Sequence, residues 1–162
     1  ADSADLWAVN GTTETLDAEI ELRIWTLGGD LVATEKLGAA LQPLGATELG
    51  QFGFDPGASL IFDARLMRDD TIIARASLWP EPLKYLTLPD PVIVLDLVSD
   101  EELRIRAARP AKGVVLSAGD GVDWSDNYLD LMPGDEQVIH AVGLGQHPVS
   151  LRWLGMEGGS DD

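Results

Sequence analysis

The feature that most constrains the fold is a series of short stretches in which apolar and polar residues alternate. The clearest covers residues 18–27, where Ile20, Leu22 and Ile24 share one face and charged residues occupy the other. Similar runs recur along the chain between clusters of Gly, Pro, Asn and Asp. No long window shows the apolar spacing of an amphipathic helix. The pattern therefore predicts an all-β protein.

Two proline-flanked segments divide these runs into two groups. Predicted strands in the first group cover residues 6–9, 18–27, 31–37, 47–54, 60–66 and 71–79. Pro80-Glu81-Pro82 and Pro89-Asp90-Pro91 follow, and proline cannot donate to a strand ladder. A second group covers residues 92–98, 103–107, 112–118, 137–142 and 149–153. We expect two consecutive β-sandwich domains, residues 1–82 and 83–157, and a disordered tail over 158–162.

The charge balance excludes some classes of partner. The 162 residues include 28 acids and 11 bases, a net charge of −17, so nucleic acid and anionic membrane surfaces are not expected partners. The apolar runs are too short to span a bilayer. Because there is no cysteine, disulfides and thiolate metal sites are excluded, which fits a reducing compartment. No start methionine or signal-like stretch opens the chain, so we interpret it as a fragment.

Candidate catalytic residues are few. The two histidines, His140 and His147, have no serine or carboxylate at a spacing that suggests a nucleophile, and we expect both to be structural. No glycine-rich phosphate loop opens a helix. A glycosidase pair of acids needs a cleft that places them across a sugar ring, which two small sandwiches seldom form. The sequence predicts no catalytic residue and no cofactor.

The segment from Asp120 to Leu131 crowds acids and aromatics into one turn-rich stretch. Four aspartates within it suggest an oxygen-ligand calcium site, namely Asp120, Asp123, Asp126 and Asp130. Their spacing lacks the glycine and the closing glutamate of an EF-hand loop. Asp and Asn also bond to nearby backbone amides in turns, and this interpretation is favoured. No metal site is predicted.

Three aromatic residues are candidates for contact with carbohydrate. Trp25 lies on the charged face of its strand, where an exposed ring would stack on a sugar and a buried one would mark an interface. Interface burial is the favoured interpretation. Trp124 and Tyr128 would either line a saccharide groove or plug the base of the sandwich. The plug is favoured for both, with the Tyr128 hydroxyl bonded to main chain as in a tyrosine corner.

One motif carries a family resemblance. The stretch Trp124-Ser125-Asp126-Asn127-Tyr128-Leu129-Asp130-Leu131, followed by Pro133-Gly134, resembles a signature of the family 2 glycoside hydrolases of β-mannosidase type. The signature marks the last immunoglobulin-like domain of those enzymes. Trp124 and Leu129 stand where the family has phenylalanine. Upstream, residues 6–10, 73–75, 78–79 and 83–89 are similar to the strands and connector of the preceding domain.

The resemblance implies a non-catalytic role. It makes both predicted sandwiches immunoglobulin-like and places the family's catalytic glutamates on a (β/α)8 barrel that this chain is too short to contain. The chain is then a C-terminal accessory module, and its partners are that barrel and the upstream domains. The parent enzyme would remove terminal, non-reducing β-D-mannose from manno-oligosaccharides. The motif residues Trp124, Ser125, Asp126, Asn127, Tyr128 and Asp130 would be structural. A carbohydrate-binding module using Trp25, Trp124 or Tyr128 is the alternative, and a free-standing adhesion domain is a third interpretation.

Overall fold

The computed structural model describes residues 2–80 and 82–156 as two compact units, with Leu86 in the first and Thr87 in the second. The predicted domain boundary at 82/83 stays a prediction. The predicted tail at 158–162 lies outside the described residues. Over these residues the helical segments are two 3₁₀ turns, Pro56–Ala58 and Leu83–Tyr85. Within the described ranges no helix is long and apolar enough to cross a membrane.

The first unit, as far as the structure describes it, has six strands in two sheets. A four-stranded antiparallel sheet has the order β3-β2-β5-β6, and β1 pairs with β4 in a two-stranded ribbon. The predicted all-β fold is confirmed, and the alternation of residues 18–27 indeed forms a strand. The bounds are β1 Asp2–Asn10, β2 Leu16–Thr26, β3 Leu31–Leu41, β4 Gly45–Phe54, β5 Leu60–Arg68 and β6 Thr71–Leu78.

Two turns in this unit follow directly from residue type. Asp69 and Asp70 both adopt positive φ, 47° and 63°, which suits the two-residue hairpin between β5 and β6. Asn10 ends β1 with its side chain buried. Its Nδ2 donates to the carbonyls of Glu14 at 2.8 Å and Leu41 at 3.2 Å, and its Oδ1 accepts from the Thr12 amide at 2.9 Å. Asn10 therefore holds residues 10–14 in a turn through its side-chain hydrogen bonds.

The first unit has an apolar core between its sheets. Leu22, Phe62 and Ala64 form its buried centre, and Leu6, Ile24, Phe52 and Leu60 pack around them. The opposite face of β2 and β5 is buried as well, because residues 61–65 are all buried although they alternate between faces. A strand covered on both sides cannot be recognised from alternation alone.

The described part of the second unit has seven strands. Its four-stranded sheet has the order β10-β12-β8-β7, and its three-stranded sheet has the order β11-β9-β13. Such a four-plus-three arrangement of antiparallel strands is that of an immunoglobulin constant-type sandwich. The bounds are β7 Ile93–Ser99, β8 Glu102–Ala107, β9 Ala111–Ser117, β10 Asp123–Trp124, β11 Leu129–Leu131, β12 Glu136–Val142 and β13 Ser150–Arg152.

Strict alternation in β8 and β12 produces the core of the second unit. In each strand every second residue is buried. Leu103, Ile105 and Ile139 are at most 2% exposed. They pack in one cluster with Val114, Leu116, Leu129 and Leu131 from the β11-β9-β13 sheet. The burial of these side chains, each contributing about 1.5–3 kcal/mol, is the main stabilisation of this unit.

Candidate functional site

The motif at residues 124–131 begins as an edge strand. Trp124 pairs with Ala141 of β12, and its half-buried ring packs against the core of the second unit. The Ser125 amide donates to the His140 carbonyl at 2.8 Å, and the Ser125 Oγ accepts from the His140 amide at 3.0 Å. The Ser125 hydroxyl therefore takes the place of a backbone acceptor in the second of the two hydrogen bonds to His140, just after β10 ends.

Asn127 bonds to main chain on the other sheet. Its Oδ1 accepts from the Leu116 amide at 2.8 Å, and its Nδ2 donates to the Leu116 carbonyl at 2.9 Å. A side-chain amide has the same donor and acceptor as a peptide group, so Asn127 stands in for a strand residue beside β9. Asp126 accepts from the Asn127 amide at 2.8 Å and shapes the turn.

Asp130 fixes the end of the motif. Its carboxylate accepts from the Gly113 amide at 2.8 Å and from Lys112 Nζ at 3.1 Å. Its carbonyl accepts from Gln137 Nε2 at 2.9 Å. The aspartate therefore braces β9 and the start of β12, and it is not free to act as a cation ligand.

Tyr128 differs from the prediction. Its side chain is 75% exposed, so it does not plug the sandwich. Within residues 2–80 and 82–156 its hydroxyl makes no hydrogen bond to main chain, so there is no tyrosine corner here. The backbone at Tyr128 has φ of 58°, and its amide donates to Asn127 Oδ1 at 2.9 Å. The left-handed conformation, which residue type did not indicate, turns the ring away from the core.

Trp25 lies in a buried, charged environment on the outer face of β2. It is 6% exposed, so its ring offers no face to a sugar, contrary to the exposed-platform interpretation. The Arg23 guanidinium stacks 5.0 Å from the ring centroid, and Arg23 Nε donates to Asp63 Oδ2 at 2.8 Å. Arg65 Nε lies 3.8 Å from the same carboxylate oxygen. Both arginines and the aspartate are buried.

The remaining polar candidates do not assemble into a site. His140 is exposed, with Nδ1 3.8 Å from Glu102 Oε2. The His147 ring packs against Gly119, where an added Cβ would lie 2.7 Å from Nδ1, so a larger residue there would displace the imidazole. Asp120, Asp123 and Asp126 are exposed. In the described part of the chain no three potential metal ligands of the His, Cys, Asp or Glu type lie together.

Two exposed aromatics were not identified from the sequence. Trp7 is 54% exposed on the outer face of β1, opposite Glu48 of β4. Tyr85 is exposed in the connector, with Lys84 Nζ 4.8 Å from its ring centroid. The alternation of Leu6, Trp7 and Ala8 within β1 was the available signal for Trp7, because it places the indole opposite the core-facing leucine.

Comparison with known proteins identifies the first unit. The model described as "Mannosidase Ig/CBM-like domain" matches residues 2–85, more than half of the chain. The chain belongs to this family. An "Ig-fold domain" model matches residues 88–152, in the second unit. The mannosidase Ig/CBM-like domain is thus followed by a second immunoglobulin-like domain, which confirms the resemblance drawn from the motif.

Relatives of the mannosidase Ig/CBM-like chain are much longer proteins. "Beta-mannosidase B" of Emericella nidulans is 30% identical over 162 residues, covering 93% of this chain and 19% of the relative. The protein of the same name from Aspergillus oryzae is 30% identical over 163 residues with the same coverage. The chain therefore spans about a fifth of the length of the curated relatives it matches.

Solved structures share the fold. A β-D-mannosidase from Dictyoglomus thermophilum matches with a TM-score of 0.77 and 18% identity, covering 94% of this chain and 20% of that one. An exo-chitosanase from Amycolatopsis orientalis matches with a TM-score of 0.70 and 12% identity, covering 92% and 24%. At these identities the likeness concerns the fold.

Proposed function

We propose that this chain is a non-catalytic C-terminal accessory module of a β-mannosidase that removes terminal, non-reducing β-D-mannose from manno-oligosaccharides. One observation carries the proposal. Nearly the whole chain, 93%, aligns with only 19% of proteins named β-mannosidase B, and both of its units are of immunoglobulin type.

The chemistry of the motif supports a structural role. Three polar side chains of the motif are hydrogen-bonded to backbone atoms of β12 and β9, namely those of Ser125, Asn127 and Asp130. Side chains engaged in this way position strands and are not available to transfer protons to a substrate. In this proposal the catalytic carboxylates belong to a barrel elsewhere in the longer protein, and the two sandwiches pack against that barrel and its neighbouring domains.

Hydrolysis of a chromogenic β-mannoside tests the proposal. The longer protein is expected to release the chromophore, whereas the 162-residue chain at the same concentration is expected to release none above the buffer rate. Turnover by the isolated chain, abolished by substitution of one of its own carboxylates, would refute the non-catalytic role. A longer protein that cleaves no β-mannoside would refute the assignment of the parent activity.

A carbohydrate-binding module is the second candidate, favoured by the exposure of Tyr128. The residue is 75% exposed and lies four positions after the half-buried Trp124 in the chain, and aromatic faces stack on sugars. Titration of the chain with mannobiose and mannohexaose, followed by NMR, distinguishes the two candidates. Saturable shifts at Tyr128 that Tyr128→Ala abolishes would favour the binding module. The accessory role predicts no saturable shift.

A further inference from the structure

The first unit has an open flank between β1 and β6. Within the described residues β1 pairs with β4 alone, and β6 pairs with β5 alone, so each strand has a free edge. Ala74 and Ala76 of β6 lie opposite Leu66 and Ala64 on the inner face of the sheet, yet both are exposed. Leu78 on the same face is 41% exposed. The ribbon of β1 and β4 therefore leaves the inner face of β6 uncovered.

The uncovered face forms a groove. Two adjoining cavities of about 210 and 180 Å³ share Leu6, Ala64 and Ala76 in their linings. Trp7 borders the groove on the β1 side, and the small alanines form its floor. A groove beside a free strand edge, with a floor of small apolar residues, has room for one more extended segment.

The opposite flank of the same unit is protected against pairing. There the free edge of β3 carries two exposed charged residues, Glu35 and Lys36. Glu35 pairs with Leu22 and therefore lies on the inner face of the sheet. The free edge of β4 is interrupted by Gly50, whose φ is 150°. Inward-pointing charges and irregular backbone are common means of preventing edge pairing. The edge of β1 has neither lysine nor proline.

Comparison of the two units indicates that the smaller sheet of the first unit is one strand short. Among the residues that the structure describes, the second unit has sheets of four and three strands, whereas the first has four and two. We propose that an extended polypeptide segment adds to the free edge of β1, completes a three-stranded sheet and covers the alanine face of β6. This mode of recognition takes affinity from main-chain hydrogen bonds and specificity from alternate side chains.

The occupant we infer is a segment of the same longer protein, and this inference rests on the function proposed above. The chain accounts for 19% of the length of its relatives, so most of such a protein lies outside it. A second copy is disfavoured because two chains of net charge −17 repel each other. The segment would place small apolar side chains towards Ala74 and Ala76 at alternate positions.

Hydrogen exchange with mass spectrometry, on the longer protein and on the 162-residue chain, tests the proposal. Amides of residues 6–9 are expected to exchange at least about tenfold more slowly in the longer protein, because added main-chain bonds protect the edge. Ala76→Arg should abolish that protection by obstructing the groove. Glu35→Arg, on the exposed inner face of β3, is the matched control and should preserve it. Neither variant should change the melting temperature of the isolated chain.

Three results would overturn the proposal. The first is equal exchange of residues 6–9 in both proteins, or protection that survives Ala76→Arg. The second is protection of the isolated chain that rises with its concentration, which would identify a second copy. The third is protection of the isolated chain by mannohexaose, which would identify a saccharide. Hydrolysis of a β-mannoside by the longer protein is measured separately. If the protein is active but β1 is not protected, strand addition is refuted and the parent activity stands. If the protein is inactive but β1 is protected, the parent activity is refuted and strand addition stands.

Discussion

The side-chain amide of Asn127 pairs with the backbone of Leu116 through two hydrogen bonds, 2.8 Å from the Leu116 amide and 2.9 Å to its carbonyl. Leu116 is buried, so its peptide groups have little access to water. Loss of a partner for such groups costs free energy that water cannot restore. The pairing connects the turn of the motif to the central strand of the three-stranded sheet.

Replacement of Asn127 should therefore destabilise the second unit. Asn127→Ala is expected to lower the free energy of unfolding by about 2–3 kcal/mol, since both bonds to Leu116 are lost. Asn127→Asp keeps an acceptor and should lose less. The control is Asp126→Ala, an exposed neighbour with one bond to the turn. Urea denaturation measures all three, and equal losses for Asn127→Ala and Asp126→Ala would contradict the pairing.

The two aromatics of the motif should behave differently. Trp124→Ala removes a half-buried ring packed on the core and should cost about 2–3 kcal/mol, less than a fully buried tryptophan. Tyr128→Ala should cost less than about 1 kcal/mol, because the ring is exposed. Thermal melts of the two variants give the comparison. An equal loss for both would mean that Tyr128 packs as a core residue.

Backbone strain at Tyr128 offers a separate test. A non-glycine residue in the left-handed region, with φ of 58°, is strained by about 1 kcal/mol or more. Tyr128→Gly should therefore be at least as stable as Tyr128→Ala, although glycine usually destabilises an extended segment. Urea denaturation measures the difference in unfolding free energy between the two variants. A glycine variant clearly less stable than the alanine variant would exclude the strained conformation.

The buried charge cluster of the first unit should be sensitive to the loss of Asp63. Asp63→Ala leaves the guanidinium groups of Arg23 and Arg65 buried without that carboxylate and is expected to cost about 3–5 kcal/mol. The double variant Arg23→Met with Asp63→Leu should recover part of the loss. Glu19→Ala, which breaks an exposed pair with Lys36, is the control and should lower the urea midpoint only slightly. Similar losses for Asp63→Ala and Glu19→Ala would contradict the burial of the cluster.

The exposed pair has its own pH dependence. The hydrogen bond that Lys36 Nζ donates to Glu19, and then the attraction between the two charges, raise the pKa of Lys36 above its ordinary value of 10.5. A raised folded-state pKa means that the stabilisation is complete below the ordinary pKa and is lost as the pH rises through the raised one. An NMR titration of Lys36 should show a lower pKa in Glu19→Gln. An unchanged pKa would show that the pair does not form in solution.

Strands in which apolar and polar residues alternate could be predicted from the sequence. The environments of particular side chains could not. Leu103, Ile105 and Ile139 are core residues because period-two patterning permits one buried face. Trp25 shares a face with charged residues, and burial was the favoured interpretation of it, but a single strand does not reveal that Arg23 and Asp63 are buried beside it. Tyr128 looked like a core aromatic because residue type does not encode its positive φ. The family motif identified the segment and suggested a structural role for it, but the backbone partners of Ser125, Asn127 and Asp130 could be read only from the structure.

The most direct test of the accessory role is complementation in trans. The longer protein lacking the segment that corresponds to residues 1–162 should have a lower melting temperature and reduced hydrolysis of a chromogenic β-mannoside. Added as a separate chain, the 162 residues should restore both, although they hydrolyse nothing alone. A truncated protein as stable and as active as the intact one, with no response to the added chain, would contradict the account.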